Sequence, residues 1–389
     1  MRIEELTLRN FRNYQEITLF PHEGVNLFFG SNGSGKTNLL EAIHYCALGK
    51  SHRVANDQST VRIGESFAVC EVAVSAGGLR RKISVRLVPN EVTKKTILLD
   101  SKKIQRFSDM MGCLQCVIFS PEDLGLIREG PSLRRRYLDM MISQMNRGYF
   151  IALQQYRSGL DQRNALLKTI RQNGANSSYY NMLDVFEHAM AVPAAVIVRE
   201  RSRIVDVLSP LAAETYRNIS GMDQEDFRIG YHSALQDEPD IEQALCAQMR
   251  EGREEDIRLG MTSAGPHRDD LNLSLNKKNM KVFASQGQIR TGALSMKLAQ
   301  MKTLKQVGGE APVLLLDDVM SELDRNRRTR LVTEISDYQT FITCTDESDL
   351  ELEGSRRTYR VWSDGIAHVE ETNRGNEKEA IPLSEPDFT

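Results

Sequence analysis

The sequence predicts an α/β fold, a P-loop nucleotide-binding core with a helical domain inserted into it. Three observations carry that expectation. Residues 30–37 read GSNGSGKT, which fits G-x-x-x-x-G-K-[ST], with an apolar run before it (Val25, Leu27, Phe28, Phe29) and a helical pattern after it (Leu39, Leu40, Ile43, Ala47) that stops at Gly49. A second apolar strand, within PVLLLDDVMSELD at 312–324, runs into two adjacent acids, Asp317 and Asp318. Between these lies a long stretch, 131–258, whose apolar residues recur at helical spacing.

Taken in order, residues 1–11 alternate like a strand, with Ile3, Leu6 and Leu8 apolar, and short strands are expected at 17–20, 25–29, 67–74, 82–88, 95–99 and 117–119. Pro131 suits a first helical position, followed by Leu133, Tyr137, Leu138, Met141 and Ile142 on one face. Further helices are expected at 150–170 and from 180 to about 216; heptads are not sustained, so a compact helical domain is expected rather than a long arm. After 259 strands and short helices return. The expected layout is an N-terminal lobe at 1–130, a helical insert at 131–258, a C-terminal lobe at 259–369 and a flexible tail at 370–389.

The chemistry follows from residue type and spacing. Glycines at 30, 33 and 35 let the backbone N–H groups of a loop that also holds Ser31, Asn32 and Ser34 turn inward around a phosphate. The helix behind the loop points its positive end at the same spot. Lys36 is expected to reach the β- and γ-phosphates, and the Thr37 hydroxyl to ligate Mg²⁺. Asp317, a hard oxygen donor at a strand end, suits the Mg²⁺ shell directly or through a water. Asp318 points the other way and is placed to orient or deprotonate an attacking water, the alternative being a solvated turn after a buried strand. Upstream, Ser285 and Gln288 form a capping-box pattern at a helix start. With Gly287 they make a second anion seat, or simply a good N-cap. One nucleotide does not need two seats from one chain, whereas two facing chains would let each seat close over the other's γ-phosphate.

Composition narrows the class. The chain has 389 residues, 26% charged and 40% apolar, as in ordinary globular proteins. No signal peptide is visible, and the longest mainly apolar run, 189–198, is broken by Pro193 and too short to span a bilayer, so a cytoplasmic location is expected. Of the six cysteines only Cys113 and Cys116 are spaced as a CxxC, which argues for reduced thiols rather than a zinc site. A net charge of −3 leaves room only for local basic patches.

GSNGSGKT, FASQGQ at 283–288 and LLLDDVMSELD at 314–324 resemble the Walker A, signature and Walker B/D-loop set of ABC-type ATPase heads. LTLRNFRNY at 6–14, FSPEDL at 119–124, GPSLRRRYLD at 130–139 and TSAGPHRDDL at 262–271 sharpen the resemblance to the RecF family of bacterial recombination-repair ATPases, relatives of SMC and Rad50 heads. The resemblance spans 1 to about 369 and implies an SMC/Rad50-like P-loop head that binds ATP and Mg²⁺. It implies an ATP-dependent homodimer on duplex DNA near gaps or single-strand/double-strand junctions, slow DNA-stimulated hydrolysis that reopens the dimer, and RecR- and RecO-type partners in loading recombinase. Ser285 would be the serine acting across the dimer and Asp324 the D-loop acid at its seam. Asp318 stands where most ABC ATPases carry glutamate. Thr345 falls where a switch histidine would, and Ser120-Pro121-Glu122 where a Q-loop glutamine would, which weighs against a transporter subunit.

Candidate DNA contacts are Arg134, Arg135 and Arg136, with Lys277, Lys278 and Lys281, and Arg325, Arg327, Arg328 and Arg330, as further clusters; each run is also what a solvated or ion-paired face looks like. Aromatic residues are 6% of the chain and none interleave these clusters, so backbone contact to duplex fits better than base stacking. His267, inside GPHRDD, is expected to hold its loop by hydrogen bonding.

Overall fold

The computed structural model describes residues 1–54, 56–89, 94–346, 355–363, 365–372 and 378–379. From the amino end, β1 (Arg2–Phe11), β2 (Tyr14–Leu19) and β3 (Val25–Phe29) lead to α1 (Lys36–Leu48), then β4 (Ala68–Ala76), β5 (Leu79–Leu87), β6 (Lys95–Leu99), β7 (Lys102–Lys103) and β8 (Cys116–Phe119). Helices follow as α2 (Gly125–Arg128), α3 (Pro131–Met145), α4 (Arg147–Asn173) and α5 (Ser177–Ser220). Next come β9 (Phe227–His232), α6 (Ile241–Glu251), α7 (Arg253–Leu259), β10 (Asp270–Leu275), β11 (Lys278–Asn279), α8 (Met280–Phe283) and α9 (Gln286–Gly308). The chain closes with β12 (Val313–Asp317), α10 (Arg325–Ile335), β13 (Thr340–Cys344), β14 (Arg356–Trp362), β15 (Gly365–Thr372) and β16 (Lys378–Glu379).

These elements form two compact units. The first holds residues 1–123, 218–220 and those from 300 onward. It contains a sheet in the order β2-β1-β4-β5-β6-β7 and a second in the order β16-β15-β14-β3-β13-β12-β8. In the second sheet β14, β3, β13, β12 and β8 run parallel, so their carboxyl ends share one edge. Helix α1 packs against strands of both sheets, and Leu39, Leu40, Ile43, Tyr45, Cys46 and Ala47 are all buried. A helix buried on nearly every side, with its one buried carboxylate, Glu41, paired to Arg12, belongs in such a sandwich.

The second unit holds residues 124–217 and 221–299. The return to the P-loop unit, expected at 259, therefore comes at 300. The reason is local pairing: β10 joins β9 and β11 in a three-stranded sheet and also packs on α3. The strand β9 was not expected inside the helical stretch. Helix α5 is a single 44-residue element running through Pro193 and Pro210, longer than the 180–216 expected. By length and composition it is apolar enough to cross a bilayer, with a mean hydropathy of 1.3 over its most apolar window, half of which is buried inside the protein. Lys378–Glu379 of the expected tail pairs with β15, while 373–377 and 380–389 lie outside the described residues.

Buried charge organises this second unit. Arg163 on α4 is fully buried and donates to Glu187 (2.9 Å), Asp256 (2.6 Å) and Thr262 Oγ1 (3.0 Å). Arg201 on α5 donates to Asp139 (2.8 Å), Asp269 (3.0 Å) and the Pro266 carbonyl (2.7 Å). Both arginines thus tie helices to the 262–271 loop. Breaking a buried pair strands the partner charges, so Arg163→Met is expected to cost on the order of 3–5 kcal/mol in chemical denaturation. Arg157→Ala, which removes an exposed partner of Asp139 (3.1 Å), is expected to cost under about 1 kcal/mol.

Candidate nucleotide-binding site

Strand β3 ends at Phe29 on the carboxyl edge of the parallel sheet, and the loop turns there into the start of α1. Gly30, Gly33 and Gly35 take φ values of 153°, 83° and 108°. Two of them are also pressed by neighbours. A Cβ on Gly30 would sit 2.2 Å from the Val361 carbonyl oxygen, and one on Gly35 would sit 2.4 Å from Asn13 Nδ2.

The loop is held from outside by the N-terminal motif. Asn13 Nδ2 donates to the Ser34 carbonyl (3.2 Å), Tyr14 Oη to the Gly35 carbonyl (3.1 Å), and Asn38 Nδ2 to Asn13 Oδ1 (2.7 Å). Arg12 grips the fully buried Glu41 of α1 with two bonds of 2.6 and 2.9 Å. Asn13 and Arg12 were not singled out as functional in the sequence, although the motif containing them was; the signal was adjacency to the strand that frames the loop.

Within the pocket, Lys36 Nζ donates to the Gly30 and Ser31 carbonyls at 2.7 and 2.9 Å. Burial pulls its pKa below the usual lysine value, with Asp317 and Asp318 among the groups opposing that shift. Thr37 Oγ1 donates to Asp317 Oδ1 at 2.8 Å, and burial raises the Asp317 pKa. The same pocket is lined by Asn32, Asp318, Thr343, Thr345 and Arg53. Arg53 was missed in the sequence because it stands alone, outside any charge run; here it bonds Asn38 Oδ1 at 2.9 Å and faces the loop. Ser34 Oγ is buried and has no hydrogen-bond partner among the described residues. A lysine resting on neutral carbonyls, a buried hydroxyl with unused capacity and a threonine–aspartate pair are a donor set that fits a magnesium-bound triphosphate.

The other expected site residues fall elsewhere. Ser285 is exposed and caps α9: its Oγ accepts from Gln288 N (3.3 Å), and Gln288 Oε1 accepts from Ser285 N (2.9 Å). Gln288 also donates to Glu225 (2.7 Å), and Gly287 lies in the first turn. Asp324 caps α10 by accepting from Arg327 N (3.0 Å). The expectation that Arg134 contacts DNA is overturned. Arg134 is buried, with Nε and Nη2 on Asp270 (2.7 and 2.9 Å) and Nη1 on the Leu126 and Glu129 carbonyls, so its guanidinium is used within the unit. Arg135 donates to the Asp269 carbonyl (2.6 Å), and Arg136 is exposed. His267 bonds Tyr156 Oη (2.6 Å) and the Thr262 carbonyl (3.0 Å), and burial lowers its pKa to about 4.

A glycine cradle at the end of a parallel strand, with β13 between that strand and the acidic β12, defines an ABC/SMC-type P-loop ATPase fold. The RecF/RecN/SMC N-terminal domain family matches residues 2–366. Over 352 residues the chain is 38% identical to the DNA replication and repair protein RecF of Ruminiclostridium cellulolyticum, spanning 89% of this chain and 93% of that one. Over 364 residues it is 38% identical to RecF of Clostridium perfringens, spanning 93% and 98%. The solved structure of the recombination mediator protein RecF with ATP in the RecFOR pathway matches with a TM-score of 0.86 at 35% identity, covering 95% and 97% of the two chains. An SMC head bound to the winged-helix domain of ScpA, 16% identical with a TM-score of 0.57, shares the fold. The chain belongs to the RecF family.

Two outcomes follow from this geometry. Gly30→Ala is expected to weaken binding of a fluorescent ATP analogue by at least about tenfold in titration, because its Cβ meets backbone rather than a movable side chain. His267 takes up a proton near pH 4 when folded and near 6.5 when unfolded. Its neutral form therefore stabilises the fold in full above about pH 6.5, and that contribution, on the order of 3 kcal/mol, is lost as pH falls toward 4. Denaturation from pH 7 to 4.5 should show a shallower loss for His267→Gln than for the native chain.

Proposed function

We propose that this protein is an ATP-controlled DNA-binding switch of recombinational repair and fork maintenance. Two copies close head to head on duplex DNA near gaps or single-strand junctions when each holds ATP, and slow, DNA-stimulated hydrolysis reopens them. The observation that carries this reading is the framed cradle around Lys36, Thr37 and Asp317, supported by membership of a family whose relatives are named for DNA replication and repair.

In this reading the loop N–H groups and Lys36 hold the β- and γ-phosphates, and Arg53 adds a second cation at the pocket wall. Thr37 and Asp317 would hold Mg²⁺, which when bound neutralises phosphate charge. Asp318 orients the attacking water or takes its proton. The exposed Ser285, at the positive end of α9, supplies a hydroxyl and free N–H groups to the other copy's γ-phosphate, with Gly287 and Gln288 shaping that seat and Asp324 at the seam. Lys277, Lys278 and Lys281 are exposed and make no ion pair among the described residues, so they suit phosphate contact better than Arg134 does. The RecFOR association of the solved relative supports RecR- and RecO-type partners here.

Static light scattering with Mg²⁺ and a slowly hydrolysed ATP analogue should show dimers for the native chain and none for Lys36→Ala or Ser285→Arg. Ser285→Arg should still bind nucleotide; an undiminished Ser285→Arg dimer would count against the reading. In single-turnover assays Asp318→Asn should hydrolyse about 100-fold more slowly, since general-base loss typically costs 10² to 10⁴. DNA affinity with ATP should exceed that with ADP and fall steeply with salt.

A further inference from the structure

The acid assigned to water activation stands on unusual backbone. Asp318 follows the last residue of β12 with φ of 52°, in the left-handed region that most side chains avoid. Aspartate tolerates that region better than most residues, but something must hold the turn there.

The holding group comes from the neighbouring strand. In the parallel pairing of β12 with β13, Thr343 lies in register with Asp317. Its side chain is buried, and its Oγ1 accepts the Asp318 backbone N–H at 3.0 Å while donating to Asp317 Oδ1 at 2.9 Å. The alternative acceptor for that proton, the Leu316 carbonyl, is farther away at 3.4 Å. One hydroxyl therefore joins the carboxylate of the first acid to the peptide nitrogen of the second. Asp317 Oδ1 receives Thr37 as well, so the oxygen is bracketed by hydroxyls from α1 and β13.

We propose that Thr343 is a positioning residue, whose hydroxyl fixes the left-handed turn at Asp318 and so aims that carboxylate into the phosphate pocket. Without the hydroxyl, the Asp318 N–H loses its acceptor and Asp317 loses a donor. The turn can then relax to ordinary negative φ, which swings the Asp318 side chain away. The proposal rests on the reading of Asp318 as the water-handling acid.

The test compares Thr343→Val, which keeps shape and removes the hydroxyl, with Thr343→Ser, which keeps the hydroxyl, and with Asp318→Asn. The readouts are single-turnover hydrolysis of Mg²⁺-ATP and titration of a fluorescent ATP analogue, with thermal unfolding as the check on folding. Thr343→Val is expected to hydrolyse about 10- to 100-fold more slowly, the range that misplacement of a reacting group produces, while binding nucleotide within about threefold of native. Thr343→Ser should restore hydrolysis to within about threefold. Should Thr343→Val fail to fold, Thr343→Ala takes its place with the same expectation. A native rate for Thr343→Val beside a slow Asp318→Asn overturns the proposal alone; so does a Thr343→Ser as slow as Thr343→Val, which would mark packing by the methyl group. A native rate for Asp318→Asn overturns the reading of Asp318, and this proposal with it.

Discussion

The P-loop unit depends on one constraint: α1 is buried around its whole girth and must still present its first turn to a ligand. Packing against strands of both sheets fixes the helix in rotation and translation, so the N–H groups of its first turn have one direction. The loop before it is then clamped rather than draped. Asn13 and Tyr14 hold its carbonyls from the β1–β2 side, and the Val361 carbonyl of β14 leaves no room for a side chain at Gly30. Strands from both ends of the chain therefore shape the cradle, which explains why a loop of small residues can be preorganised.

How much of this could be read from sequence depends on how local the cause is. Lys36, Thr37 and the glycines were legible because a phosphate cradle demands those residue types at that spacing, and Asp317 because a strand end beside such a loop calls for an oxygen donor. Ser285 was legible as a cap because capping is settled within four residues. Arg53 and Asn13 were not legible as parts of the site, since their roles come from contacts made across 15 to 25 residues of chain. Helix α5, expected across both prolines at 180–216, extends a few residues further at each end, to the Asn176 side chain that accepts from Tyr179 N and to the left-handed Gly221, because caps rather than apolar spacing set a helix's limits.

Arg134 teaches a related lesson about charge. In sequence, Arg134 to Arg136 is a basic run, and runs read as surface. In the structure only Arg136 is exposed, because successive helical positions face different directions. The motifs 130–139 and 262–271 meet through Arg134–Asp270, Arg135 and the Asp269 carbonyl, and Arg201 bridging Asp139 to Asp269. Arg134 and Arg201 each aim donors at partners from separate segments, so only one rotation of α5 against α3 and the loop satisfies them both. Apolar packing alone would tolerate small slips; these forks do not.

The backbone at Asp318 links this economy of geometry to rate. A strand that ends in register with Thr343 and turns left-handed leaves the second acid little conformational choice, and one methylene gives its carboxylate short reach. Under the proposed reading, a short and fixed carboxylate cannot pursue a loosely held water; the water and the γ-phosphate must be brought into line by whatever closes over the pocket. The exposed cap at Ser285 offers a second copy's hydroxyl and helix end for that purpose. Turnover then waits on association, and nucleotide state reports whether two copies are together, which is the property a switch needs and a fast hydrolase does not.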